Sequence, residues 1–395
     1  MRSNHFYPLD VLRFFAAFAV MTFHLCFYTW AASDLTAHPP LGSARYEALA
    51  PFTWFGWVGV EVFFVISGFV IANSAFGQAP ISFLKNRVLR LYPAVWICAS
   101  ISLAAYLTWS TVDQHELFAR YLRSVTLWVR GPWMEGVYWS LAVEIVFYGL
   151  IFWALVASRI VRFTAIPWLL TVLSTIYSLP HTAPVFFEHE LGAAFLGKIE
   201  WYSSLTLMRY GAFFAVGIWL WLMNRAAMTP LRYAGLALAI GLGAFEIVWR
   251  AEGAPWEFAA HIAYPIWAPV LFWLCGVALI AAVAYAPHAF ELRSDLGQRV
   301  LRRIGLMTYP LFLVHAGIGT ALIGVLTRAG LDRWTTLGIV IAAMLALAYV
   351  ICAVFEVGLR KLLRMVLDAA ERMLKRLAPR AGFLFTARPD APLTP

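Results

Sequence analysis

A polytopic bundle of membrane-spanning α-helices is the fold class this all-α chain predicts, and three observations predict it. Of its 395 residues 62% are hydrophobic and 13% charged, with 18 tryptophans and a mean hydropathy of +0.74, too apolar for a water-soluble globular protein. Its apolar runs reach the ~20 residues that a helix needs to cross about 30 Å of hydrocarbon. The runs are continuous and do not alternate in polarity, which argues against an outer-membrane barrel.

Ten spans are read in order, at roughly 9–30, 54–76, 93–109, 139–158, 163–179, 205–223, 233–249, 264–286, 305–327 and 335–358. The first is interrupted by Asp10, Arg13 and His24, so it reads as a retained helix and not as a cleaved signal peptide. The second carries Gly59-Val60-Glu61 and Val62 to Phe69, and the third follows the basic segment Phe83 to Pro93. The fourth begins at Trp139-Ser140-Leu141 and holds Glu144. Spans five to eight are apolar runs between short loops, with Glu246 near one end; the ninth carries Tyr309 to His315; the tenth ends near Glu356. Both Glu246 and Glu356 read as interfacial.

An even number of spans puts both termini on one side, and the loops choose which. Arg2, then Lys85, Arg87 and Arg90, then Arg159 and Arg162, Arg225 and Arg232, and Arg293, Arg299, Arg302 and Arg303 share one face. The other holds more acids, among them Asp34, Glu47, Asp113, Glu188 and Glu190. The bias of Lys and Arg towards the cytoplasm therefore makes both termini cytoplasmic.

No internal repeat or long linker divides the chain, so residues 1–360 read as one membrane domain and 361–395 as a basic tail. In the tail Leu363, Val366, Leu367, Ala370, Met373, Leu374 and Leu377 recur at helical spacing among Arg364, Arg372, Lys375 and Arg376. That pattern predicts an amphipathic helix on the cytoplasmic membrane surface, loose beyond about Pro379. The net charge of +9 suits anionic lipid headgroups or a phosphorylated ligand. No nucleic-acid module accompanies it, so a nucleic-acid partner is not expected. Cys26, Cys98, Cys275 and Cys352 fall inside spans without metal-ligand spacing, and no metal is expected.

Chemistry is sought among the polar residues within the spans. Arg13 and His24 are eleven residues apart, about three helical turns, so they share a face roughly 16 Å apart. Ionisable groups at such depth face a protein interior or a water-filled path. His24, His315, Glu61 and Glu144 all fall at mid to outer depth; if they converge, they form an acid–base centre. Each has a structural alternative: a histidine bonding a neighbouring helix, a glutamate neutralising a buried cation. Arg87 and Arg90, three apart on a helix, suit phosphate oxygens, and Lys85 joins them; plain positive-inside anchoring is the other reading. The longer outer loops, about Trp30–Thr53 and Pro180–Ser204, mix aromatic residues, His181, His189 and acids, which suits either a sugar or an interfacial belt.

Five segments in order resemble the acyltransferase family three of integral membrane proteins: Leu9 to Ala17 with the Arg13–His24 pattern, Val62 to Phe69, Arg87-x-x-Arg90 before Leu91-Tyr92-Pro93, Trp139-Ser140-Leu141 with Glu144, and Tyr309 to His315. The resemblance implies a ten-helix bundle that takes an acyl group, usually acetyl, from cytoplasmic acyl-CoA and delivers it to a carbohydrate hydroxyl at the outer face. His24 is then the essential histidine and Arg13 its partner, while Arg87 and Arg90 match a paired-arginine motif. Many relatives carry a fused extracytoplasmic hydrolase-like domain, and here a short basic tail follows the bundle. The expected partners are acyl-CoA, a cell-envelope glycan or lipid-linked glycan, membrane lipids and glycan-assembly proteins, in a bacterial inner membrane.

On this reading Arg13, Arg87, Arg90 and Lys85 bind the CoA phosphates, and the pantetheine arm carries the thioester towards His24. His24 acts as general base or as transient acyl carrier, Glu144 orients it or the acceptor, and His315 completes the centre. Ser67 is an alternative carrier. The rival class is a proton-coupled transporter whose His and Glu residues form a relay, although the chain lacks the repeats many transporters show. A structural or flippase-like partner in glycan assembly is a third reading.

Overall fold

Apolar runs of this length bury their backbone polar groups only by coiling, and the described residues contain helices and no strand. The computed structural model describes residues 7–31, 44–157, 163–182, 202–203, 205–253, 265–286, 294–377 and 379–387. Much of both long outer loops, including Asp34, His189, Glu188 and Glu190, lies outside them, as do Arg2, Arg159, Arg162 and Arg293.

Helix α1 (Tyr7–Phe23) passes through a π turn (His24–Tyr28) to Ala31. Then come α2 (Gly59–Ala75), α3 (Pro80–Trp109), the short amphipathic α4 (Gln114–Val125) and α5 (Tyr138–Val156). The series continues with α6 (Ile166–Thr182), α7 (Gly211–Met223), α8 (Pro230–Glu252) and α9 (Trp267–Tyr285). Last are α10 (Asp295–Val314), α11 (Gly317–Arg328), α12 (Arg333–Val350) and α13 (Glu356–Leu377). Among the described residues eight helical stretches are long and apolar enough to cross a membrane; the bent pair α10–α11 makes a ninth, and α7 is a shorter apolar helix. The chain is thus an integral, multi-pass, all-helical membrane protein, with segments in the ten expected regions.

Three details differ from the expectation. The basic stretch Phe83–Pro93 is not a loop: it is the first three turns of α3, which starts at Pro80 and absorbs Pro93 in its interior. The ninth span is not one rod. It bends by 70° at His315–Ala316, where the broken ladder leaves the Gly317 N–H to a side chain instead of a carbonyl one turn back. The tail does not begin a separate helix, because α12 runs through a second π turn (Ile351–Phe355) into α13 as one 45-residue helix, Arg333–Leu377. At ~1.5 Å per residue that is about 68 Å, more than twice the hydrocarbon thickness.

The core is built around α7. All its residues except Met223 are buried, against α2, α6 and α8, as a helix apolar on every side must be. Gly68 on α2 and Gly217 on α7 let the two backbones touch: a Cβ at Gly68 would strike the Phe214 carbonyl, and one at Gly217 the Val65 carbonyl. Without a hydrophobic drive between helices in lipid, such close contact is what holds them. Helix α1 packs between α2 and α10, and α13 lies antiparallel along the first turns of α3. These two placements position everything below.

Candidate active site

His24 opens the π turn of α1, a wide turn of a kind often found at functional sites. Its Nδ1 lies 2.9 Å from the Val20 carbonyl oxygen and 3.1 Å from Nε2 of His315, which is fully buried at the α10–α11 break. The Nδ1 of His315 is in turn 3.0 Å from the Leu311 carbonyl oxygen. With both rings neutral one pattern satisfies all three contacts: His315 Nδ1–H donates to Leu311, and His24 Nδ1–H donates to Val20 and His315 Nε2. The lone pair of His24 then sits on Nε2. The two histidines of the sequence reading therefore meet across 291 residues of chain.

The carboxylates do not join them. Glu144 on α5 accepts hydrogen bonds at Oε1 from Ser67 Oγ at 2.7 Å and from Tyr148 Oη at 2.6 Å. Glu61 on α2 is fully buried and pairs with Arg250 of α8 at 2.8 Å, under the Trp57 ring. Glu246 and Glu356, which the sequence places near span ends, are both buried within the protein, held by Arg209 at 2.6 Å and by Arg360. Each glutamate faces a cation, Arg250 on α8 for Glu61, Arg209 in the turn before α7 for Glu246 and Arg360 on α13 for Glu356, a partner that span boundaries do not reveal.

A cavity of about 400 Å³ runs between α1, α2, α3, α5, α10 and α13. That is within the ~300–1,000 Å³ of small-molecule sites. Arg13, Arg87, Arg90, Arg360 and Arg364 line it, together with Ser67, Glu144, Tyr148, Tyr309 and Phe312. Arg13 is held by Asp10 at 3.1 Å. The Arg87 guanidinium lies over Phe83 and Tyr148 at 5.5 and 5.8 Å from their ring centroids, and its Nε is buried without a hydrogen-bond partner. The Tyr309 hydroxyl is likewise buried and unpartnered. Neither histidine lines the cavity. Phe312 forms the wall between, its ring 5.6 Å from that of Phe63 and 5.9 Å from that of His315.

Lys85 is not among the lining residues. It lies on α3 in ion pairs with Asp368 and with Glu371, the latter at 3.0 Å. Two groups escaped the sequence reading. Glu135, in the turn before α5, is fully buried and accepts from Ser102 Oγ at 2.8 Å and from Gly317 N at 2.6 Å, so it caps α11 beside His315. Gly317 admits it closely, since a Cβ there would meet the Tyr106 hydroxyl and, at 2.7 Å, Glu135 Oε2. Its loop-like neighbours Gly131-Pro132 and Gly136 carry no periodicity that could have marked Glu135. Arg360 and Arg364 escaped for a different reason: Arg360 follows the last expected span and Arg364 sits in what reads as tail.

The family model described as an acyltransferase domain matches residues 6–353. The chain belongs to acyltransferase family three. It is 24% identical over 283 residues, 66% of its length, to BcsY of Komagataeibacter xylinus, named as a membrane-bound transacylase. It is 29% identical over 169 residues, 37% of its length, to Nodulation protein 10 of Rhizobium leguminosarum bv. viciae. The matches span 65% and 43% of those relatives' own lengths. No solved structure matches this acyltransferase-family chain.

Proposed function

We propose that this protein is a membrane O-acyltransferase that moves an acetyl or other short acyl group from acyl-CoA to a hydroxyl of a cell-envelope glycan. The carrying observation is a cavity lined by five guanidinium groups with, beyond the Phe312 wall, the His24–His315 pair. Arg13, Arg87 and Arg90 bind phosphates on the cytoplasmic side, where the basic loops put both termini, and the thin pantetheine arm extends inward past Ser67 and Glu144. The membrane is a bacterial inner membrane, and the glycan approaches from the outer side.

His24 Nε2 takes the proton of the acceptor hydroxyl as its oxygen attacks the thioester carbonyl. The C–S bond breaks as the C–O bond is completed, and the proton passes to the departing thiolate sulfur. His315 keeps His24 in the Nδ1–H tautomer and accepts from that N–H more strongly while the ring is charged. Tyr309 Oη, unpartnered in the cavity wall, supplies a donor for the developing oxyanion. Phe312 has to yield for thioester and histidine to meet. Glu144, already bonded to Ser67 and Tyr148, orders the channel and does not orient His24. A relay of histidines and carboxylates, the transporter reading, has less support, because Glu61 and Glu144 are each engaged away from the pair.

The test is release of CoA from acetyl-CoA by the purified protein in lipid nanodiscs, with and without a mixture of envelope glycans. His24→Ala is expected to abolish glycan-dependent release while CoA still binds. Undiminished transfer by that variant would overturn the base assignment, and failure of the unaltered protein to bind CoA would overturn the donor.

A further inference from the structure

The match to the family ends at residue 353, yet the cavity does not. Two of its five arginines, Arg360 and Arg364, come from α13, beyond the matched region. Along α13 the residues Glu356, Arg360, Arg364, Asp368 and Glu371 recur every three or four positions and so form one stripe. That stripe meets α3 in antiparallel register. Asp368 and Glu371 pair with Lys85, which precedes Arg87 and Arg90 on α3, while Arg360 and Arg364 share the cavity wall with those two arginines.

One half of this contact is complementary and the other half is not. At Lys85 a cation meets two carboxylates. At the cavity two arginines of α13 face a space already lined by Arg13, Arg87 and Arg90, with one carboxylate, Glu144, that accepts from Ser67 and Tyr148. Asp10 holds Arg13 and Glu356 holds Arg360, but Arg87, Arg90 and Arg364 have no ion-pair partner among the described residues. The Nε atoms of both Arg87 and Arg360 are buried without a hydrogen-bond acceptor. Like charges brought together with donors left open are costly unless an anion with several oxygens takes the space between them. Lys85 keeps α13 against α3 despite that repulsion.

We propose that α13 is the second half of the donor site: Arg360 and Arg364 close on the phosphates of the acyl-CoA from the side opposite Arg87 and Arg90. Lys85 is a positioning residue that docks α13 through Asp368 and Glu371. The inference rests on the acyl-CoA reading above and adds to it a polyanion clamp that the family match does not include.

The experiment is titration of CoA, 3′-dephospho-CoA and pantetheine into the protein in nanodiscs of phosphatidylcholine, repeated with phosphatidylglycerol added. Arg364→Ala, which removes no ion pair, is expected to weaken CoA binding roughly ten- to hundredfold, the worth of one or two charged hydrogen bonds, and to leave pantetheine unaffected. Arg360→Lys, which keeps a charge for Glu356, is expected to lose less. Lys85→Ala should weaken CoA, and Lys85→Arg should restore it. Lys361→Ala, the same loss of charge on an exposed position off the cavity, should bind as the unaltered protein does. Unchanged CoA affinity in Arg364→Ala and Arg360→Lys, with loss in Arg87→Ala, would overturn the clamp and leave the donor reading standing. No CoA binding by the unaltered protein would overturn the donor reading and the clamp with it. If the α13 arginines serve a lipid headgroup, CoA affinity in pure phosphatidylcholine is indifferent to them, and the clamp is overturned.

Discussion

Two clusters of charge lie within the bundle, and they are built on opposite plans. Around α8, Glu61 of α2 pairs with Arg250, and Arg209, in the turn before α7, pairs with Glu246, one carboxylate for each guanidinium. Aromatic rings cover the cations: Trp57 at 4.4 Å and Trp139 at 5.6 Å from Arg250, Tyr210 at 5.5 Å and Trp249 at 5.7 Å from Arg209. Between α3 and α13 five guanidiniums line a cavity, and three of them have no carboxylate partner among the described residues. In the first cluster each guanidinium has its carboxylate, although Oε2 of Glu61 and of Glu246 is buried without a hydrogen-bond partner, and the pairing holds the segments together. An open set of cations is what the proposed donor site requires, and the difference is legible only in the pairing, since both clusters are arginines and glutamates in sequence.

The comparison can be broken or sharpened by substitution, from the largest effect downward. His24→Ala removes the proton acceptor and is expected to lower transfer by roughly 10²–10⁴-fold at unchanged thermal stability, measured as CoA release alongside a melting curve. Glu61→Ala leaves Arg250 buried without its partner. A loss of about 3–5 kcal/mol is expected, read as a lower melting temperature, with CoA affinity intact in the protein that remains folded. Replacing Glu61 and Arg250 together by apolar residues should recover most of that loss; if CoA affinity falls in either variant, the paired cluster is not purely structural. Arg87→Ala should do the reverse, weakening CoA while stability holds or rises as like-charge repulsion is relieved. Glu135→Ala strips the acceptor from Gly317 N and is expected to cost about 1–3 kcal/mol of stability, together with a drop in turnover as the His315 break loosens. Ser67→Ala is the smallest: a few-fold change in turnover, with acetyl transfer retained. Abolished transfer, or an acetylated Ser67 peptide in the unaltered protein, would make that serine a carrier.

Where sequence and structure agree, the reason is local. The Arg87–Arg90 spacing, which puts both side chains on one cavity, and the helical spans depend on intervals of three to twenty-odd residues, which helix geometry alone converts into distance. Where they part, the partner is remote. Lys85 looks like a third phosphate ligand until Glu371, 286 residues away, is seen beside it. Glu144 and His24 share the bundle but not a contact, because Ser67 and Tyr148 occupy the carboxylate. Glu135 reads as loop because its role, capping a helix that starts at residue 317, exists only once that helix breaks.

Composition and periodicity by themselves determined that this chain spans a membrane many times as helices, and which intramembrane residues were too costly to be there without purpose. In lipid every backbone group must be satisfied within its own segment, so the spans are written locally. Which charge meets which was decided by tertiary structure alone. Side-chain pairing depends on helix order, rotation and bends such as that at His315, and those follow from packing across the whole bundle, including the touch of Gly68 on α7 and the docking of α13 on α3.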